Sequence, residues 1–106
     1  MDTVNINKPK FSFDDIAIGV GACAADLEYI YQQIQNKGQV HSEDIRQFAG
    51  RGIPIYAELA KVLNTPISYI SKEACAGHIT IFHVEQSFIQ MTSENGPFFG
   101  LHKSHH

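Results

Sequence analysis

The sequence predicts an all-α fold, a compact bundle of about five helices in which one long N-terminal helix is followed by short ones. Three observations predict it. Apolar residues recur at spacings of three and four along most of the chain, which lines one face of a helix. Glycine, proline, serine and threonine gather where those runs begin and end, as caps and stops require. No stretch of any length alternates apolar and polar residues as a strand does. At 106 residues the chain has room for one domain with one modest core.

The opening MDTVNINKPK is polar, contains Pro9, and reads as a flexible lead-in over 1–10. The helical domain then spans 11–100. Ser12 is placed to cap the first helix, with Asp14 and Asp15 in its first turn, where carboxylates are favoured. Ile16, Val20, Cys23, Leu27, Ile30 and Ile34 follow in steps of four, three, four, three and four, so the reading is one amphipathic helix up to Lys37. Gly19 and Gly21 interrupt its propensity and point to close packing or a break near its start. Gly38 ends it in a left-handed cap.

A short helix follows over SEDIRQFAG, with Ile45, Phe48 and Ala49 turned inward. GRGIP breaks the chain, and Pro54 suits the first turn of the next helix. That helix, PIYAELAKVL, buries Ile55 or Tyr56 together with Leu59, Ala60 and Leu63. Thr65 is expected to cap a further helix, with Pro66 at its first position, running to about Ala76 and stopped by Gly77. Thr80 caps the last one, in which Val84, Phe88 and Met91 share a face. TSENGPFFG closes the ordered part, and 101–106, LHKSHH, reads as a disordered tail.

The stretch ELAKVLNTPISYISK has the form of a DNA-binding helix-turn-helix, but its chemistry is wrong for that use. The second helix opens Ile67, Ser68, Tyr69, Ile70, Ser71, Lys72, with one basic residue and no Arg, Asn or Gln for base edges. Between Glu43 and Ala76 the charges cancel, and the whole chain carries a net charge of −3. Phosphate neutralisation supplies most of the strength of DNA binding, so no nucleic acid is expected as a partner. Nothing approaches the ~20 apolar residues of a membrane span, and the N-terminus has no signal-peptide core.

The flanks carry a pattern of their own. YQQIQNKGQVHSEDIRQFAGRGIPIYAELAKVL, followed by GHITIFHVEQSFIQMTSENGPFFG, resembles the conserved domain near the N-terminus of phage tail tape-measure proteins. The matching positions are Gly38, Glu43-Asp44-Ile45-Arg46-Gln47, Gly52-Ile53-Pro54, Glu58-Leu59-Ala60-Lys61, Gly77, and Met91-Thr92-Ser93-Glu94 with Gly96 and Phe98. The ordered series is specific where any one block is not. The match covers Tyr29 to Gly100 and departs in three places. His41 stands where the family has a capping Thr or Ser, so Ser42 is expected to cap instead; His78 replaces a Lys; and Asn95-Gly96 replaces Gly-Gly. The resemblance implies a non-enzymatic domain that packs against phage tail proteins, tail assembly chaperones or itself. Its setting would be the phage virion tail and, before assembly, the host bacterial cytoplasm. It identifies a domain, since the long helical and membrane-active parts of tape-measure proteins lie outside the matched stretch.

Physical reasons stand behind several motif residues. Gly38, Gly52, Gly77 and Gly96 each follow a periodic segment and are read as left-handed residues. Phe98 and Phe99 either fold back on the bundle with Met91 or form an exposed patch for a partner. Cys23 and Cys75 are read as two buried, reduced thiols. Cys75, His78 and His83 have a spacing that could attract zinc, yet no fourth ligand is evident beyond Cys23 or the tail residues His102, His105 and His106, so no metal site is expected. There is no nucleophile motif, no phosphate loop and no second acidic pair beside Glu43-Asp44. Neither an enzyme nor a cofactor is expected. A free-standing helical adaptor with a host-protein partner is a further option.

Overall fold

The computed structural model describes residues 11–101, which contain helices and turns and no strand. Six α-helices follow one another: α1 Phe13–Val20, α2 Ala24–Lys37, α3 Ser42–Gly50, α4 Ile55–Leu63, α5 Ile70–Cys75 and α6 Ile81–Thr92. A 3-10 turn, Ile67–Tyr69, leads directly into α5. The expected long N-terminal helix is two helices, α1 and α2.

The break has a local cause. Gly21 takes a left-handed conformation at φ 72°, and its N–H is donated to the carbonyl of Ala17. The N–H of Ala22 reaches the same carbonyl at 2.9 Å. This is the glycine stop that ends many helices, and it satisfies a carbonyl that would otherwise be left without a donor. Cys23 is extended and opens α2. The turn lays α1 back over α2 and α6, burying Phe13, Ile16 and Ala17. The apolar stripe read as continuous is therefore cut. Ile16, Leu27, Ile30 and Ile34 are buried, while Val20 is half-buried and Cys23 is exposed at the joint. Cys75 is also exposed, because the short α5 turns Ile70 and Ala74 inward and the next residue outward. Neither thiol is buried as the sequence suggests.

Elsewhere the caps largely follow the residues. Ser12 Oγ accepts the N–H of Asp15 at 3.3 Å, and Thr80 Oγ1 accepts that of His83 at 3.3 Å. Gly38, Gly52 and Gly77 have positive φ. Gly96 does not; it is required for another reason, since a Cβ there would overlap the carbonyls of Gln90 and Met91. His41, not Ser42, occupies the N-cap of α3, and the Asp44 carboxylate accepts the His41 N–H at 2.8 Å. Pro54 stands at the N-cap of α4, one position earlier than expected. Ile55 is buried and Tyr56 only half-buried, which resolves that alternative.

α6 lies at the centre. It packs most extensively on α4 and also touches α1. Its Phe88 is fully buried and meets four rings, with centroids 5.1 Å from Phe11, 5.8 Å from Phe13, 6.1 Å from Tyr31 and 5.1 Å from Phe48. Three of these contacts are edge-on, the arrangement ring quadrupoles favour. Val84 and Met91 on the same face are fully buried too. After Thr92 the chain folds back as a strap. The N–H of Phe98 is donated to the Met91 carbonyl at 2.8 Å, and the Phe98 ring covers Gly19, where a Cβ would overlap it. Leu101, assigned to the tail by the sequence, packs against the core. The rest of the expected lead-in and tail, 1–10 and 102–106, lies outside the described residues. Within them, no helix is long and apolar enough to cross a membrane.

Removing the central ring should be costly. Phe88→Ala is expected to lower unfolding free energy by about 3–5 kcal/mol, whereas Phe82→Ala, on the exposed side of the same helix, should change it by less than about 0.5 kcal/mol. Urea denaturation of the two variants measures both; equal effects would contradict a core centred on Phe88.

Candidate interaction surface

Apolar residues that the core does not use define the surface. Ile67, Tyr69, Phe82, Phe99 and Tyr29 are all at least half exposed. Two lie at the helix pair formed by α4 and α5. α4 ends at Asn64, left-handed at φ 54°, a conformation asparagine tolerates better than most residues. The Thr65 N–H closes the turn on the Ala60 carbonyl at 3.0 Å. The sequence expectation, Thr65 capping the next helix and Pro66 beginning it, does not hold. Pro66 has ψ 148°, an extended value that keeps it outside the helix, and a 3-10 turn follows. Proline fixes φ but leaves ψ free, so its presence alone does not commit the chain to a helix. Ile67, Ser68 and Tyr69 consequently all face solvent. A shallow groove beside them is lined by Ala57, Ala60, Thr65, Pro66 and Ile67 among others.

The described cations are engaged. Among the described residues, Arg46 pairs with Glu43 at 2.7 Å, Lys61 with Glu58 at 3.2 Å and Lys37 with Asp44 at 2.8 Å, while Arg51 pairs with Asp26. Lys72 has its ammonium 5.8 Å from the Tyr69 ring centroid. Each cation thus has an anion or a ring beside it, and no uniform positive face results. Such a surface offers apolar and aromatic contact, and little of the field that draws in phosphates.

The strap separates the two candidate contact residues. Phe98 is buried against Gly19, and Phe99 is 56 % exposed. Of the pair, only Phe99 is free to meet a partner. Of the candidate zinc ligands, His78 Nδ1 lies 2.7 Å from Glu73 Oε1, and His83 Nδ1 accepts the N–H of Thr80 at 3.0 Å. Among the described residues no three His, Cys, Asp or Glu side chains are grouped to hold a metal. His102, His105 and His106 lie outside them.

Buried polar groups are matched. Glu58, buried between α4 and α6, accepts a hydrogen bond from Gln90 Nε2 at 2.9 Å, which ties the two helices together. Asp44 accepts from Lys37 and from the His41 backbone. Ser87 donates to the Val84 carbonyl at 2.7 Å. Each supports packing or capping. No family model, curated protein or solved structure matches the chain.

Most of the exposed apolar residues escape a reading of the sequence, although a signal is present. Phe82 lies off the Val84–Phe88–Met91 face, and Ile67 and Tyr69 lie off the Ile70–Ala74 pair. Large apolar side chains displaced from a helix's own stripe are the ones left outside.

Tyr31 gives a pH signature. Burial, and secondarily the charge of Glu85, pushes its phenol from the ordinary 10.0 up to about 12. The folded chain therefore holds this proton more tightly than the unfolded one. The stabilisation is complete below pH ~10 and is lost as pH rises through about 12. Ultraviolet titration should show one of the four tyrosines ionising last, near pH 12. Tyr31→Phe should remove that late step and flatten the alkaline fall in stability; its persistence would contradict the assignment.

Proposed function

We propose that this chain is a non-enzymatic structural and assembly domain of a phage or prophage tail tape-measure protein. It works by packing against other proteins during tail assembly and length determination. The observation that carries the reading is the ordered motif series from Gly38 to Phe98. The roles of those residues support it. Glu43 to Gln47 lie in α3, Gly52-Ile53-Pro54 form the joint before α4, and Glu58 to Lys61 lie in α4. Met91, Gly96 and Phe98 secure the strap. A motif spent on caps, joints and core suits a domain maintained for its shape. The exposed Ile67, Tyr69, Phe82 and Phe99 supply apolar contacts of the kind protein partners use, since aromatic residues are enriched at such interfaces. The partners are tail proteins, tail assembly chaperones or further copies of the domain.

Immunoblotting of source cells and of purified particles with an antibody to this domain tests the reading. The expected result is a band several times larger than 11.8 kDa that travels with assembled tails. A band at 11.8 kDa confined to the cell lysate would overturn it. The competing reading, a small helix-turn-helix DNA-binding regulator, would then be examined by titration with duplex DNA at low and high salt, where it requires steeply salt-sensitive binding.

A further inference from the structure

The joint between α1 and α2 is inconsistent with the pattern of the residues around it. Ile16, Val20, Cys23, Leu27, Ile30 and Ile34 form one unbroken helical stripe, yet the chain turns back in the middle of it. Val20 and Cys23, the stripe positions nearest the turn, are the two that the closed fold leaves half-buried and exposed. The joint itself is short: Gly21, Ala22 and Cys23. Gly21 is the left-handed residue in it. Ala22 has the best helix propensity of any residue. Straightened, the chain would form one helix from Phe13 to Lys37, roughly 37 Å long at about 1.5 Å per residue.

We propose that Gly21–Cys23 is a hinge through which α1 is exchanged with the α1 of a second copy of this chain. This inference is independent of the tail reading. Straightening carries α1 away from α6 and uncovers Phe13 and Ile16 together with the Phe88 and Tyr31 surface that receives them. Exposing large apolar side chains is unfavourable by about 1.5–3 kcal/mol each, so a single open chain is rare. A second open copy removes that cost, because its α1 has the matching shape and makes the same contacts. Phe98 then covers Gly19 of the other copy. The occupant of the vacated surface is thus specified by the surface itself. The continuous stripe is restored, with Val20 and Cys23 on its apolar side.

Two glycines make the test internal. Gly21 and Gly38 are both left-handed helix stops, at φ 72° and 76°, and at each the place a Cβ would take has no atom within 4 Å. Alanine therefore strains both alike, but only Gly21→Ala also favours the straight hinge. Light scattering and sedimentation of the whole chain should show Gly21→Ala raising the dimerisation constant by roughly tenfold or more. Gly38→Ala should stay at the wild-type value, and so should Gly21→Asn, since asparagine tolerates the left-handed turn. In a dimer mixed from labelled and unlabelled Gly21→Ala chains, contacts between Gly19 and the Phe98 ring should cross from one chain to the other. Wild-type chain refolded at high concentration should contain a slowly dissociating dimer fraction, a readout that does not depend on any variant folding. A monomeric Gly21→Ala, equal dimerisation by Gly38→Ala, or Gly19–Phe98 contacts confined to single chains would overturn the proposal. So would wild-type protein that refolds only to monomer.

Discussion

The fold depends on one side chain, Phe88, which meets four other rings. Phe11 and Phe13 approach from the N-terminal segment, Tyr31 from α2 and Phe48 from α3. Segments far apart in sequence are thereby fixed against α6. Rings constrain geometry as well as excluding water, because edge-on contacts are favoured over face-to-face ones. α4 is fixed to α6 by a different means, the buried Glu58 accepting from Gln90 beside the apolar contacts of Leu59. The strap then depends on both ends of the molecule: it needs the Met91 carbonyl at the end of α6 and the bare backbone of Gly19 on α1.

Much of this is legible in the residues because the governing physics is local. Ser12, Gly38 and Thr80 act through bonds within a few residues of themselves, so their roles follow from type and position. Spacing alone places Val84, Phe88 and Met91 in the core, where they are found. What is not legible requires choosing between local signals and tertiary ones. The stripe from Ile16 to Ile34 supports a continuous helix, while Gly21 supports a stop; the stop is what forms, and it lets α1 pack back on α2 and α6. The stripe puts Cys23 on an apolar face, which argues for burial; once the stripe breaks, that face ends at the joint. Pro66 shows the same limit, since its preset φ suits a helix and an extended turn equally well. At Gly96 the sequence points to the right residue for the wrong reason: its missing side chain, and not its φ, is what the strap needs.

The candidate surface is partly legible. The sequence identifies the helix pair, and its charge argues that the pair lacks the means to hold phosphates. The ion pairs of Arg46, Lys61 and Lys37 give that argument a geometry, since each cation has its own carboxylate within 3.2 Å. Of these, only the Arg46–Glu43 pair is exposed on both sides and adds little stability, whereas Asp44 and Glu58 are buried. Among the described residues these pairings place a carboxylate beside each of the three cations. Phe98 and Phe99 are neighbours in sequence with opposite fates, because a strap one residue wide can bury only one of two adjacent side chains. The outcome is a small helical body with apolar residues at several separate surface points, and α1 attached to it through a three-residue joint.

At the centre of this picture, α1 is a separable part of a body organised around α6. Native-state hydrogen exchange of the whole chain tests that most directly. Amides of α1 are predicted to exchange through a partial opening, at lower free energy than those around Phe88 in α6 and Leu59 in α4, which wait for global unfolding. Amides of α1 as strongly protected as those of α6, with the same dependence on denaturant, would contradict it.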